Sequence, residues 1–286
     1  AGSDRLKVGL IGCGGRGRGA AEDLLSAGGD SIQLVALGDV FEDRATGART
    51  YLAERFQAAG RAGSFDVPAE RCFHGFGAAA AVLDSDLDLV LLATPPHFRP
   101  GQLEAAVARG LHVFLEKPVA VDAPGVRQVL AAADAATAQG LSIVAGTQRR
   151  HQRSYRETLA RIHDGEIGEI VAAQCWWNQG GLWMNPRQPG WSDMEWQLKN
   201  WLYFTWLSGD HIVEQHIHNI DVINWALRAH PISANASGGR QSRTDPAYGH
   251  AFDHFAVEFE YPGGVIVHSH CRQIDGCASR IAERLV

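Results

Sequence analysis

A glycine hexamer placed between a strand and a helix limits this chain's fold more than any other feature. The apolar run Lys7-Val8-Gly9-Leu10-Ile11 leads straight into Gly12-Cys13-Gly14-Gly15-Arg16-Gly17, and an alanine- and leucine-rich stretch from Gly19 to Ala27 follows with helical spacing. A second apolar run, Ile32 to Leu37, ends at Asp39, 22 residues past Gly17. A glycine hexamer alone is a flexible turn. Strand, G-x-G-x-x-G, helix and a strand-end acid together are the fingerprint of a dinucleotide site. Gly12 makes the tight turn, Gly14 lets the backbone approach a pyrophosphate, and Gly17 lets helix and strand pack closely. The diphosphate then meets the positive end of the helix, beside Gly15 and Arg16. Asp39 can accept hydrogen bonds from the adenosine ribose, and its charge repels a 2′-phosphate, which favours NAD over NADP. A plain turn residue is the alternative for Asp39, and Arg44 nearby can offset the repulsion.

The alternation continues. A helix is expected over roughly 44–59, strands at Cys72–His74, 87–93 and 111–115, helices at 101–109 and 123–139, and a sixth strand at 141–145. Strands alternating with helices make βαβ units and a parallel sheet. After Gly146 the pattern changes. A helix at 155–163 and a β-branched, aromatic run at 170–177 precede a loop rich in Trp, Gly and Pro to about Trp201. A long helix over 208–228 is expected next, then strands at 232–237, 252–261 and 265–271, with Tyr261-Pro262-Gly263-Gly264 as a hairpin turn. The fold class is therefore α/β: a Rossmann-type doubly wound parallel sheet over 1–146, and over 147–286 an α/β domain for substrate and oligomer contacts, with an open, mainly antiparallel sheet. Gly146 marks the division.

In such a sheet ligands bind beyond the carboxyl ends of the strands. Two segments fall there. Thr94-Pro95-Pro96-His97 follows the fourth strand: Thr94 can bond the cofactor and the prolines stiffen the loop, while His97 is as readily an ordinary turn residue. Glu116-Lys117-Pro118 follows the fifth strand and brings a lysine to the place of the nicotinamide ring. A positive ring nearby favours the neutral amine, which makes Lys117 a usable base. Glu116 can orient it or touch the ribose, and Pro118 can set the turn through a cis bond.

On the long helix His211, Glu214, His218, Asp221 and Trp225 recur at steps of three and four, and so are expected on one face. Such a face can be solvated, metal-binding or catalytic; the spacings do not match the zinc-protease motifs, so no metal is assigned. Seven of the eight tryptophans lie between Trp176 and Trp206. Most are expected to pack the loop, but one at a pocket, such as Trp201, is suited to stacking on a sugar ring. Arg149 and Arg150 follow the sixth strand and can line the site or lie on the surface.

Composition narrows the partners. A net charge of −6 with 20% charged residues calls for neither nucleic acid nor an anionic membrane, and the longest apolar run is too short to span a bilayer. The five cysteines show no paired spacing. The start Ala1-Gly2-Ser3-Asp4 fits a mature form after loss of an export signal, which leaves cytoplasm and periplasm both open. The apolar ending Ile281 to Val286 leads us to expect that the natural protein continues.

Over nearly its whole length the chain resembles the glucose–fructose oxidoreductase / inositol dehydrogenase / MocA (Gfo/Idh/MocA) family. The carriers are Gly12 to Gly17, Asp39, Ala93 to His97, Glu116-Lys117-Pro118 and His218-Asn219-Ile220-Asp221. The resemblance implies hydride transfer between a nicotinamide cofactor and a hydroxyl carbon of a sugar or cyclitol. It makes Lys117 and His218 the catalytic pair, and a homo-oligomer through the second sheet. Glu214 stands where the family commonly has Asp, four residues before the histidine. Glu214 is expected to position His218 or bind a sugar hydroxyl, with Arg150, Trp201 and Asp221 near the substrate. Some relatives are redox-neutral NAD-dependent glycosidases or lyases, which leaves that activity as an alternative. A non-catalytic cofactor-binding protein is a further alternative. The reading requires the Lys117 ammonium and the His218 imidazole to serve one substrate.

Overall fold

A computed structural model of the chain describes residues 5–286; the methionine-free start lies outside them. The chain divides into two compact units, Ala1–Gly146 and Thr147–Val286.

The first unit runs β1 (Leu6–Ile11), α1 (Gly15–Gly28), β2 (Ile32–Asp39), α2 (Glu42–Ala58), β3 (Cys72–His74), α3 (Ala78–Leu83), β4 (Leu89–Leu92), α4 (Arg99–Val107), β5 (His112–Leu115), α5 (Ala123–Ala138) and β6 (Ile143–Ala145). Its six strands are all parallel, in the order β3-β2-β1-β4-β5-β6. The order reverses between β1 and β4, and that reversal is where open α/β sheets bind ligands. Each face of the sheet has its own core. Val8, Leu10, Leu34 and Leu37 pack with Leu52 and Phe56 of α2; Ile11, Val90, Leu92, Val113 and Leu115 pack with Val82 of α3 and Leu103 of α4. Strands covered on both faces read as continuous apolar runs, and these do. Helix α3 is not visible as a helix in the sequence: it is six residues long, and its run of alanines carries no amphipathic period.

The second unit runs α6 (Arg153–His163), β7 (Ala172–Gln179), α7 (Asp193–Lys199), α8 (Thr205–Ser208), α9 (Asp210–Glu214), α10 (Ile217–Leu227), β8 (Ser233–Gly239), β9 (His254–Tyr261), β10 (Val265–Gln273) and β11 (Arg280–Leu285). Its sheet has the order β11-β7-β10-β9-β8, and only the β7–β10 pair is parallel. Helix α10 lays Ile220, Ile223 and Leu227 on the inner face of this sheet against Ala173, Val267 and Tyr261. Ile223 is fully buried, which alone contributes roughly 1.5–3 kcal/mol.

The structure corrects two expectations here. The stretch to Trp201 is not all loop, because α7 starts where the Ser192 side chain accepts from the Glu195 amide (3.1 Å), half of a capping box. Nor is 208–228 one helix. Gly209 and Asp210 adopt left-handed backbone (φ 72° and 68°). The Asp210 carboxylate is held there by the His211 amide (2.6 Å) and, from the segment just before β9, the Phe252 amide (2.9 Å). A second break falls at Gln215, between α9 and α10. The period of three and four therefore does not run through. His211 and Glu214 belong to α9; His218, Asp221 and Trp225 share a face of α10.

Candidate functional site

The glycine loop has the geometry that its residue types require. Gly12 has φ +97°, and a Cβ there would lie 2.6 Å from the Ala93 carbonyl carbon and the Thr94 nitrogen. A Cβ on Gly17 would lie 1.8 Å from the Gly12 oxygen. Both glycines are demanded by the chain itself. Gly14 differs: it caps α1 without a side-chain hydrogen bond, and a Cβ on it, or on Gly15, would meet nothing within 4 Å. The open space lies over the positive end of a 14-residue helix, where the backbone presents its unpaired amides to an anion. These residues fit a dinucleotide's diphosphate.

Asp39 closes the loop from the side. It is 8% exposed; one carboxylate oxygen accepts from the Cys13 amide (2.8 Å) and the other from the Phe41 amide (2.9 Å). Each oxygen keeps a second lone pair for a ribose hydroxyl. Burial, then the Asp39 charge, pushes the Cys13 thiol well up, so Cys13 is an inert packing residue.

The other rim loops join this one. Arg16 Nε reaches Glu116 Oε1 at 2.8 Å, and its Nη2 reaches Asp23 at 2.7 Å. Glu116 is buried, and its amide donates to the Leu92 carbonyl (3.0 Å). Lys117 is half-buried, and the Lys117–Pro118 bond is cis. The Thr94 hydroxyl donates to Gln102 (2.7 Å), Pro95 leads into a tight turn over Pro96–Phe98, and His97 sits edge-on to Phe98. Gly12 to Gly17, Asp39, Thr94 to His97, Glu116 and Lys117 thus all lie at one rim of the parallel sheet. One residue there escaped the sequence reading: Arg99, 4% exposed, which donates to the carbonyls of Thr94 and Pro118.

In the second unit, His218 stacks on Trp177 (centroids 5.6 Å apart, planes at 22°). Arg149, buried, lies 5.5 Å from the same indole. It pairs with Glu283 of β11, which also accepts from Asn219 (2.7 Å) and from the Tyr155 hydroxyl (3.1 Å). Burial pushes the Glu283 carboxyl up, and Arg149 opposes this. Arg150 grips Asp221 with two nitrogens (2.8–3.1 Å) and lies over Trp225, so these two expected substrate residues face each other. Glu214 is buried and accepts from Gln215. Trp201 packs with Leu202, Tyr203 and Ala251, tilted against Trp183. Glu283 and Tyr155 were not singled out from the sequence. An inward carboxylate in the alternating strand Arg280–Leu285 was the available signal.

At the N-cap of α10, His216 is fully buried with Nε2 2.7 Å from the Ser269 hydroxyl. Burial holds this imidazole down at about 4; Asn219 offsets part of that, and the charge of Arg149 adds to it. The unfolded chain protonates His216 from its ordinary 6.5 downward, whereas the folded chain resists until about 4. Stability from this group is therefore complete above pH 6.5 and is lost as pH falls toward 4. We expect the thermal midpoint to drop between pH 7 and pH 5, and His216→Gln to flatten that slope. An unchanged slope in the variant would assign the effect elsewhere.

Two family models match the chain. Residues 6–144 match an oxidoreductase family with an NAD-binding Rossmann fold, and residues 155–280 match the GFO/IDH/MocA C-terminal domain. An inositol 2-dehydrogenase of Saccharopolyspora erythraea is 26% identical over 260 residues, 91% of this chain and 64% of that protein. A 2,7-anhydro-N-acetylneuraminate hydratase of Escherichia coli is 25% identical over 194 residues, 68% of this chain and 48% of that protein. The chain thus spans about half to two thirds of these relatives. Among solved structures, scyllo-inositol dehydrogenase of Lactobacillus casei with bound NAD(H) and scyllo-inositol superposes with a TM-score of 0.73 at 20% identity, over 99% of this chain and 74% of that one.

Proposed function

The chain belongs to the Gfo/Idh/MocA family of NAD-binding oxidoreductases, and from that premise we propose that it transfers a hydride between NAD and a hydroxyl carbon of a sugar or cyclitol. The observation that carries the proposal is the open cradle over Gly14, on the same rim as Lys117. Bound NAD would supply the hydride acceptor. Lys117 would take the O–H proton of the substrate hydroxyl as the hydride leaves the carbon that bears it, and return that proton in the reverse direction. His218, held flat on Trp177, is the second acid/base or orienting group. Glu214 binds a substrate hydroxyl or steadies His218, and the Arg150–Asp221 pair offers a fixed polar edge to a polyol. NAD is preferred to NADP because the buried carboxylate of Asp39 would repel a 2′-phosphate at that point.

The inositol dehydrogenase relatives favour a cyclitol among the substrates. The hydratase relatives favour a second reading, in which the net reaction is redox-neutral. A panel of cyclitols, aldoses and anhydro-sugars with NAD distinguishes them. Growth of absorbance near ~340 nm with ketone release is the expected result. Product without any absorbance change would replace it with the redox-neutral reading. We also propose that the open face of the second sheet carries a homo-oligomer contact. In one row across it, Arg284 at the β11 edge and Glu258 on β9 are exposed, and a second copy related by a two-fold axis would bring opposite charges together.

A further inference from the structure

We infer that Arg99 is a positioning residue that sets the spacing between the cofactor loops and Lys117. The inference rests on the proposed roles of the glycine loop and Lys117. Arg99 is the first residue of α4, where a cation meets the positive end of the helix dipole, an unfavourable place for it. It is also buried, which costs more unless the guanidinium is well bonded. Its hydrogen bonds explain the placement. Nη2 donates to the Thr94 carbonyl at 2.6 Å, and Nη1 donates to the Pro118 carbonyl. Those carbonyls belong to the loops that leave β4 and β5, neighbouring strands of the sheet.

The two loops carry different parts of the proposed site. The Thr94 loop backs the glycine turn so closely that Gly12 has no room for a Cβ. The Pro118 loop carries Glu116 and Lys117. Arg99 is therefore a strut in a continuous series: glycine turn, Thr94, guanidinium, Pro118, Lys117. A rigid planar fork can span two carbonyls at once, whereas a lysine ammonium on a flexible stem cannot hold both in one geometry. Charge-assisted bonds of this kind are about twice as strong as neutral ones, and a misplacement near 1 Å can cost roughly 100-fold in rate.

The test uses the whole chain, NAD titrated by calorimetry, and hydrogen exchange over residues 93–98 and 116–120. Arg99→Met is expected to weaken NAD binding by roughly tenfold or more and to speed exchange in both segments together. Added guanidinium ion is expected to restore part of the affinity. Arg99→Lys, which keeps charge and stem, should fall between the two, and it carries the test if the methionine variant does not fold. NAD affinity within about twofold of wild type in Arg99→Lys and Arg99→Met, with only exchange or melting affected, would reduce Arg99 to a structural residue and overturn the inference. Wild-type protein that takes up no NAD would overturn the functional proposal itself, and this inference with it.

Discussion

Gly14→Ala should leave the protein folded and deprive it of NAD, whereas Gly17→Ala should damage the fold. The two positions lie three residues apart in one loop, yet they are glycine for different reasons. At position 17 an added methyl would sit 1.8 Å from the Gly12 carbonyl oxygen. Neither backbone can yield without separating α1 from β1, so a loss above about 3 kcal/mol is expected, beyond the usual cost of overpacking. At position 14 the backbone is extended (φ −67°, ψ −175°), which alanine adopts readily, and the added methyl meets no atom of the chain. The stability change there should stay within about 1 kcal/mol, the ordinary cost of changing an uncharged cap. Only a ligand passing over the loop would feel that methyl. Melting curves with and without NAD separate the cases: the wild-type midpoint should rise with NAD, and that of Gly14→Ala should not. A midpoint for Gly14→Ala that rises as far as wild type's would mean the diphosphate does not pass over this loop.

The first unit was legible in the sequence because its signals are local. Gly12 and Gly17 answer contacts within a few residues or at the end of the adjoining strand, and a strand buried on both faces announces itself by composition. The Glu116-Lys117-Pro118 rim segment was legible for the same reason: it follows a strand end directly. What stayed hidden depends on distant partners. The break at Gly209 and Asp210 is stabilised by the Phe252 amide, 42 residues away, so helical spacing alone joined α9 to α10. β11 was obscured because Glu283 points inward where alternation calls for an apolar residue, and its partners Arg149, Asn219 and Tyr155 come from three separate segments. The stacking of Trp177 on His218 pairs a strand with a helix, and nothing in a run of tryptophans tells which one will do so. Arg99 reads as an ordinary helix-start residue until its two carbonyl partners are seen.

The second large effect concerns the two proposed catalytic groups. Lys117→Met and His218→Asn should each lower kcat by roughly 10²–10⁴, the usual worth of a positioned acid or base. NAD affinity should stay close to wild type in His218→Asn, whose position lies outside the cofactor-binding unit. Groups that act on one substrate as a unit are strongly non-additive. The decisive measurement is therefore the kcat of the double variant Lys117→Met/His218→Asn, taken with NAD and the first cyclitol or sugar found to turn over. If both side chains serve the same reacting hydroxyl, the double variant will be no slower than the slower single variant, within about threefold. Losses that multiply, or a single variant that turns over like wild type, would mean that the ammonium and the imidazole do not work on one substrate.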